Sequence, residues 1–127
     1  MNITLYIAAF LTTIVGVAHS YLGERYILVP LSRRKDLPKI FGSTEFTIRT
    51  LRFAWHITSI AWWGFAAVFV LLANPPVTSQ ALGTVVGITF LAHFVFVLVS
   101  SRGKHLSWVL FLIIGLIAIY ASCSGTL

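Results

Sequence analysis

Glu45-Phe46-Thr47-Ile48-Arg49-Thr50-Leu51-Arg52-Phe53-Ala54-Trp55-His56-Ile57-Thr58-Ser59 runs from charged into apolar sequence without a break. Read as a helix, it places Glu45, Arg49, Arg52, His56, Ser59 and Trp63 at intervals of three or four, hence on one face. The pattern predicts a helix from about residue 44 to 73, with Ser43 or Thr44 as N-cap and Glu45 in the first turn, where the helix dipole favours negative charge. A helix of about 30 residues exceeds the ~20 that cross hydrocarbon, so its first two turns are expected outside, with Arg49 and Arg52 at the interface.

The rest of the chain has the same character. Its 127 residues are 58% hydrophobic and 9% charged, with a mean hydropathy of +0.95, whereas a soluble domain carries about 25% charged residues. The expected fold is an all-α integral membrane protein: a single domain of four transmembrane helices, about 3–22, 44–73, 81–101 and 105–121, in an antiparallel, up-down-up-down bundle. Met1 to Leu22 has no Lys or Arg ahead of its apolar run, unlike a secretory signal, and is read as a retained span. Asn74-Pro75-Pro76 and Arg102-Gly103-Lys104 read as tight turns. A basic loop, 23–43, joins the first two helices, and its Pro30 and Pro38 break any long helix. Within it, Tyr26-Ile27-Leu28-Val29-Pro30-Leu31 either lies among lipid headgroups or prolongs helix one. Gly16, Gly83 and Gly87 belong to small-residue strips that let helices approach closely. A short polar tail, Ser122 to Thr126, is expected after the last helix.

The formal net charge of +6 would suggest nucleic acid on a soluble face. Here the basic residues sit in two short segments beside apolar runs, so no nucleic-acid partner is expected. Arg25, Arg33, Arg34, Lys35, Lys39, Arg49 and Arg52 lie between the first helix and the start of the second, while Arg102 and Lys104 follow the third. The positive-inside rule therefore puts these segments in the cytoplasm and both termini outside, in a bacterial inner membrane. The single cysteine, Cys123, excludes an intramolecular disulfide, and no Cys/His zinc pattern occurs.

On this topology all four histidines fall in the cytoplasmic half. His19 and His56 lie roughly 5 Å inside the boundary and His93 roughly 13 Å, at 1.5 Å per residue. Ionisable groups inside a span mark function by default. Imidazoles on neighbouring helices at matched depth suggest a haem b, with His19 and His56 as axial ligands and His93 as a further ligand or relay; a transition metal held by His19, His56 and His93, with Glu24 as an oxygen ligand although it does not share the His19 face closely, is the other form. Short spans with histidines inside resemble the layout of small membrane cytochromes b, with no motif that matches residue by residue. Two other functions are weighed. One is an accessory or scaffold subunit that packs against a larger membrane partner, a homo-oligomer being a separate association. The other is a small carrier in which Arg49, Arg52 and His56 line a vestibule for protons or an anion. Ser20 or Ser59 beside a histidine is not read as a hydrolase, because no carboxylate is expected within a span to orient the base.

Overall fold

The computed structural model describes residues 1–124, whose regular structure is helical with no strand. In chain order the helices are α1 (Ile3–Gly23), α2 (Val29–Ser32), α3 (Thr44–Ala73), α4 (Ser79–Ser101) and α5 (Ser107–Cys123), with a π-helical turn, Glu24–Leu28, between α1 and α2. Three helical runs, Ile3–Ser32, Thr44–Ala73 and Ser79–Ser101, are long and apolar enough to cross a membrane; α5 is a shorter apolar helix.

Each long helix begins on a polar residue in extended conformation. Asn2, Ser43 and Thr78 accept hydrogen bonds from the N–H groups of Thr4, Phe46 and Ala81 at 3.1, 3.4 and 3.1 Å, so each occupies an N–H that the helix cannot satisfy itself. α4 stops where Arg102 and Gly103 turn left-handed, at φ 51° and 72°. This is the usual way to close a helix C-terminus. α5 starts two residues later than expected, because His105 folds over the turn with Nδ1 2.8 Å from Ser107 Oγ. Ser122, expected in the polar tail, belongs to α5 and donates to Ala118 O at 2.7 Å; Thr126 lies outside the described residues.

The largest departure from expectation is at the end of α1. The helix does not stop at Gly23 but widens into the π turn, with Val29 N–H bonded to Glu24 O, and runs on to Ser32. Pro30 explains the widening: it lacks an N–H, and its ring would crowd the carbonyl four residues back in a regular helix. Tyr26 to Leu31 therefore prolongs helix one, and the irregular connection shrinks to residues 33–43. In it the Arg34 guanidinium donates to both oxygens of Asp36, at 2.9 and 2.6 Å, and holds that carboxyl below its usual range. The buried Thr47 hydroxyl donates to Pro38 O at 2.7 Å and accepts from Ile40 N at 3.2 Å, which ties the loop to α3.

The helices pack in chain order: α1 on α3, α3 on α4, α4 on α5. Among the described residues no substantial contact joins α1 to α4 or α5. Along α1 and α3 the partners fall in number on one helix as they rise on the other. Asn2 N donates to Ala73 O at 3.0 Å, Trp63 Nε1 to Thr13 O at 3.3 Å and Trp55 Nε1 to His19 O at 3.0 Å. The two indoles fit only because glycine lies beneath them. A Cβ on Gly16 would come within 2.5 Å of Trp63 Nε1, and one on Gly23 within 2.0 Å of Trp55 Nε1. Gly87 plays the same part against Ile119 across α4 and α5, while Gly83 is half-buried.

Candidate functional site

The α1 register places Ser20 and Glu24 one turn apart, and the α3 register places Arg52, His56 and Ser59 on the facing stripe. Glu24 receives Arg52 Nε at 3.1 Å and Arg52 Nη2 at 2.5 Å, a two-pronged charge-assisted pair. Its Oε2 also lies 3.2 Å from His56 Nε2. The other ring nitrogen, His56 Nδ1, is 2.9 Å from Ser20 Oγ, which shares a 2.9 Å hydrogen bond with Ser59 Oγ. Ser59, fully buried, is in turn 3.1 Å from His19 Nδ1. Thr58 Oγ1 approaches the same nitrogen at 3.4 Å. Arg52, Glu24, His56, Ser20, Ser59 and His19 thus form one unbroken chain of hydrogen bonds between two helices.

The behaviour of the other hydroxyls sets Ser20 and Ser59 apart. Thr12, Thr13, Thr84, Thr89 and Ser122 all donate to the carbonyl four residues back, at 2.7 to 2.9 Å, the ordinary resting place of a helical hydroxyl in apolar surroundings. Ser20 and Ser59 bond instead to each other and to imidazoles. Either hydroxyl can donate, so the chain has two polarities. In one, His19 Nδ1–H donates to Ser59, Ser59 to Ser20, Ser20 to His56 Nδ1, and His56 Nε2–H to an ionised Glu24. In the other, every bond is reversed, and a protonated Glu24 donates to His56 Nε2. The reversal carries one proton's worth of charge along the chain without breaking it.

His19 is held from its faces as well as its edge. Its ring stacks on Trp55, with centroids 4.5 Å apart and planes within 1°, and meets Trp62 at 4.8 Å. Next to the chain is a cavity of about 400 Å³, walled by Ser20, Glu24, Arg52 and His56 on one side and by Phe96 and Ser100 of α4 on the other. Arg52 and Ser100 also border a second cavity of about 520 Å³ that reaches Thr44, Glu45 and Arg49 at the start of α3. Arg49 is paired with Glu45 at 2.5 and 3.0 Å, and Arg102 and Lys104 are near enough to act on Glu45. Arg49, Arg52 and His56 therefore lie along one pair of adjoining cavities.

The three histidines expected as ligands are arranged differently from one another. His19 and His56 meet through Ser20 and Ser59, whereas His93 stands apart on α4. His93 is buried, with Nδ1 2.6 Å from Thr89 O and Nε2 2.9 Å from Ile57 O of α3. A neutral imidazole has one N–H and donates to one of these carbonyls at a time. Both nitrogens of His56 and of His93 already have partners. Among the described residues no three His, Cys, Asp or Glu side chains converge so as to hold a metal ion. An iron ligand at His56 would first have to leave Ser20 or Glu24. His93 reads here as a clamp between α3 and α4. Its replacement by Leu is expected to lower stability by about 1–2 kcal/mol, the scale of an interhelical hydrogen bond in apolar surroundings, while leaving His19 and His56 unaffected. Thermal unfolding in mild detergent measures the first, and histidine nitrogen NMR the second.

Sequence reasoning raised Glu24 only as a metal ligand and set Ser20 and Ser59 aside as nucleophiles; it missed that these groups meet at His56. Glu24 is off the face of His19 if the helix ends at Gly23; with the helix continued, it comes onto His56. The signal available was the face of α3, which offered Arg52 and His56 four residues apart and so asked for an acid opposite them. No protein-family model, curated protein or solved structure matches the chain, and the chemistry is argued from the site itself.

Proposed function

We propose that the chain is a multi-pass membrane protein whose α1–α3 interface is a proton-exchanging binding site: a small polar group enters the cavity beside Arg52, and the Glu24–His56–Ser20–Ser59–His19 chain gives it a proton or takes one away. The observation that carries this reading is the continuity of that chain, built from groups that both donate and accept. Carboxylate–imidazole–hydroxyl relays are the usual way to move protons where water is scarce. By residue count the chain covers only about 8 Å of depth, from residue 24 to residue 19 at 1.5 Å per residue, against ~30 Å of hydrocarbon. It therefore serves one leaflet. The positive-inside rule makes that the cytoplasmic one, with the helices alternating in direction and both termini on the far side of a bacterial inner membrane.

Nitrogen NMR of isotopically labelled histidine, in detergent, tests the relay. Glu24→Gln, at one end of the hydrogen-bonded chain, is expected to move the nitrogen resonances of both His56 and His19. A change confined to His56 would remove the reading. A visible spectrum of the same sample separates it from the haem b or transition-metal proposal: a Soret band would mean that His56 or His19 has turned a nitrogen to iron. A second reading, a subunit that packs on a membrane partner or on its own copy, is favoured by the order of packing, in which α1 and α5 each have one main helix neighbour.

A further inference from the structure

Three of the side chains walling the 400 Å³ cavity stand in a relation that proton exchange does not require. Ser20 Oγ is 2.9 Å from one nitrogen of His56, and Glu24 Oε2 is 3.2 Å from the other. A hydroxyl, an imidazole that can take its proton, and a carboxylate that fixes the imidazole's tautomer are the parts of an activated nucleophile, recognised by geometry whatever the fold. With Glu24 ionised, His56 carries its proton on Nε2 and offers the Nδ1 lone pair to Ser20. Either hydroxyl can donate across the 2.9 Å Ser20–Ser59 contact; with Ser59 as donor, one lone pair of Ser20 Oγ remains for attack. Arg52 and the Ser100 hydroxyl border the same space and bring positive charge and a donor to where an oxyanion would form.

The cavity continues in a way that says what would react there. It shares Ile60 and Trp63 with an apolar groove of about 280 Å³ between α3 and α4, floored by Gly64, Ala67, Thr89 and Ala92. Its floor is a close helix contact that glycine permits: a Cβ on Gly64 would come within 2.6 Å of Thr89 Oγ1. From Arg52 to Ala67 is about 22 Å along α3 at 1.5 Å per residue. Charged groups at the α3 start, a polar cavity next, and a narrow hydrocarbon groove beyond match a single-chain amphiphile with its polar group toward Arg49 and Arg52. The carbonyl that joins head to tail would lie beside Ser20.

We infer that Ser20 is a nucleophile for acyl transfer from a single-chain lipid ester or thioester, with His56 as base and Glu24 as the positioning residue. Ser20 Oγ bonds to the acyl carbon as its proton passes to His56 Nδ1. The alcohol or thiol leaves with that proton, and the acyl chain stays on Ser20. Water then attacks the acyl carbon and gives a proton to His56; the Ser20 Oγ–acyl bond breaks, His56 returns the proton to Ser20 Oγ, and the acid is released. The inference rests on the proton-exchanging cavity proposed above, but its test reads a covalent bond and not a titration.

The full chain in mild detergent, shown folded by thermal unfolding, is incubated with a long-chain alkyl fluorophosphonate and the adduct is located by mass spectrometry. An adduct on Ser20 is expected. Ser20→Ala should abolish it, and His56→Gln should slow it by about a hundredfold or more, the scale of a lost general base. Glu24→Gln should lower the maximal labelling rate without changing the half-saturating probe concentration. Filling the groove with Ala92→Phe should slow the long-chain probe but not diisopropyl fluorophosphate. No adduct on folded wild type, or an adduct on another residue, overturns the inference. Equal labelling by both probes in wild type and in Ala92→Phe overturns the choice of an amphiphile. Linked His19 and His56 resonances with no adduct would retain the proton-exchange reading and remove this one; an adduct on Ser20 with unlinked histidines would do the reverse.

Discussion

Glu24→Gln is expected to destabilise the protein by about 1–3 kcal/mol, because it strands the Arg52 guanidinium against α1 without a counter-charge. The Glu24 and Arg52 side chains keep 34% and 44% of their exposure, so the loss falls short of the 3–5 kcal/mol typical of a fully buried pair. His56 Nε2 loses its acceptor as well, since the Gln amide offers one oxygen where the carboxylate offered two. Arg52→Gln should cost a similar amount for the mirror-image reason. The double variant Glu24→Gln/Arg52→Gln should recover much of the loss, as two amides can bond to each other and leave no charge unpaired. Reversible unfolding in detergent across this cycle measures the coupling. Additive losses, or a neutral Glu24→Gln, would show that the pair seen in the structure is not an energetic unit.

Ser59→Ala is expected to separate His19 from His56. The Ser59 hydroxyl is the one group between Ser20 and His19 Nδ1, and it is fully inaccessible. Removing one oxygen leaves less room than a water needs, so no solvent bridge replaces it. Stability should fall by about 1–2 kcal/mol, for an imidazole and a hydroxyl each short of one partner. The larger effect is on the linkage: the His56 nitrogen resonances should still respond to Glu24→Gln, but those of His19 should not. If the two imidazoles remain linked in Ser59→Ala, the proton path runs elsewhere, with Thr58 Oγ1, 3.4 Å from His19 Nδ1, as the nearest substitute.

Much of this arrangement was written in one face of α3. The three-and-four spacing of Arg52, His56, Ser59 and Trp63 does describe the stripe that meets α1, because helical periodicity fixes which residues share a side. The boundaries of α3 and the Ser43 cap followed from the same local rules. What periodicity cannot supply is the partner across the interface. Glu24 was not placed against His56 because helix one was expected to end at Leu22 and Pro30 to break any helix beyond it, and the π turn that accommodates Pro30 depends on the packing around it. The Ser20–Ser59 pair has no spacing signature, since its members are 39 residues apart. His93 was expected as a further ligand or relay, and a buried imidazole does need a partner. That its partners are backbone carbonyls depends on how closely α3 and α4 approach.

The packing of each helix chiefly on the one before it also has a meaning in time. A chain is made from its N-terminus, and an arrangement rich in contacts between successive elements needs little long-range search. Every member of the hydrogen-bonded chain, from Glu24 to Ser59, has been synthesised once Ala73 emerges. The polar groups of α1 can therefore find their partners on α3 before α4 and α5 exist, and α4 then closes over a cavity whose polar wall is already in place.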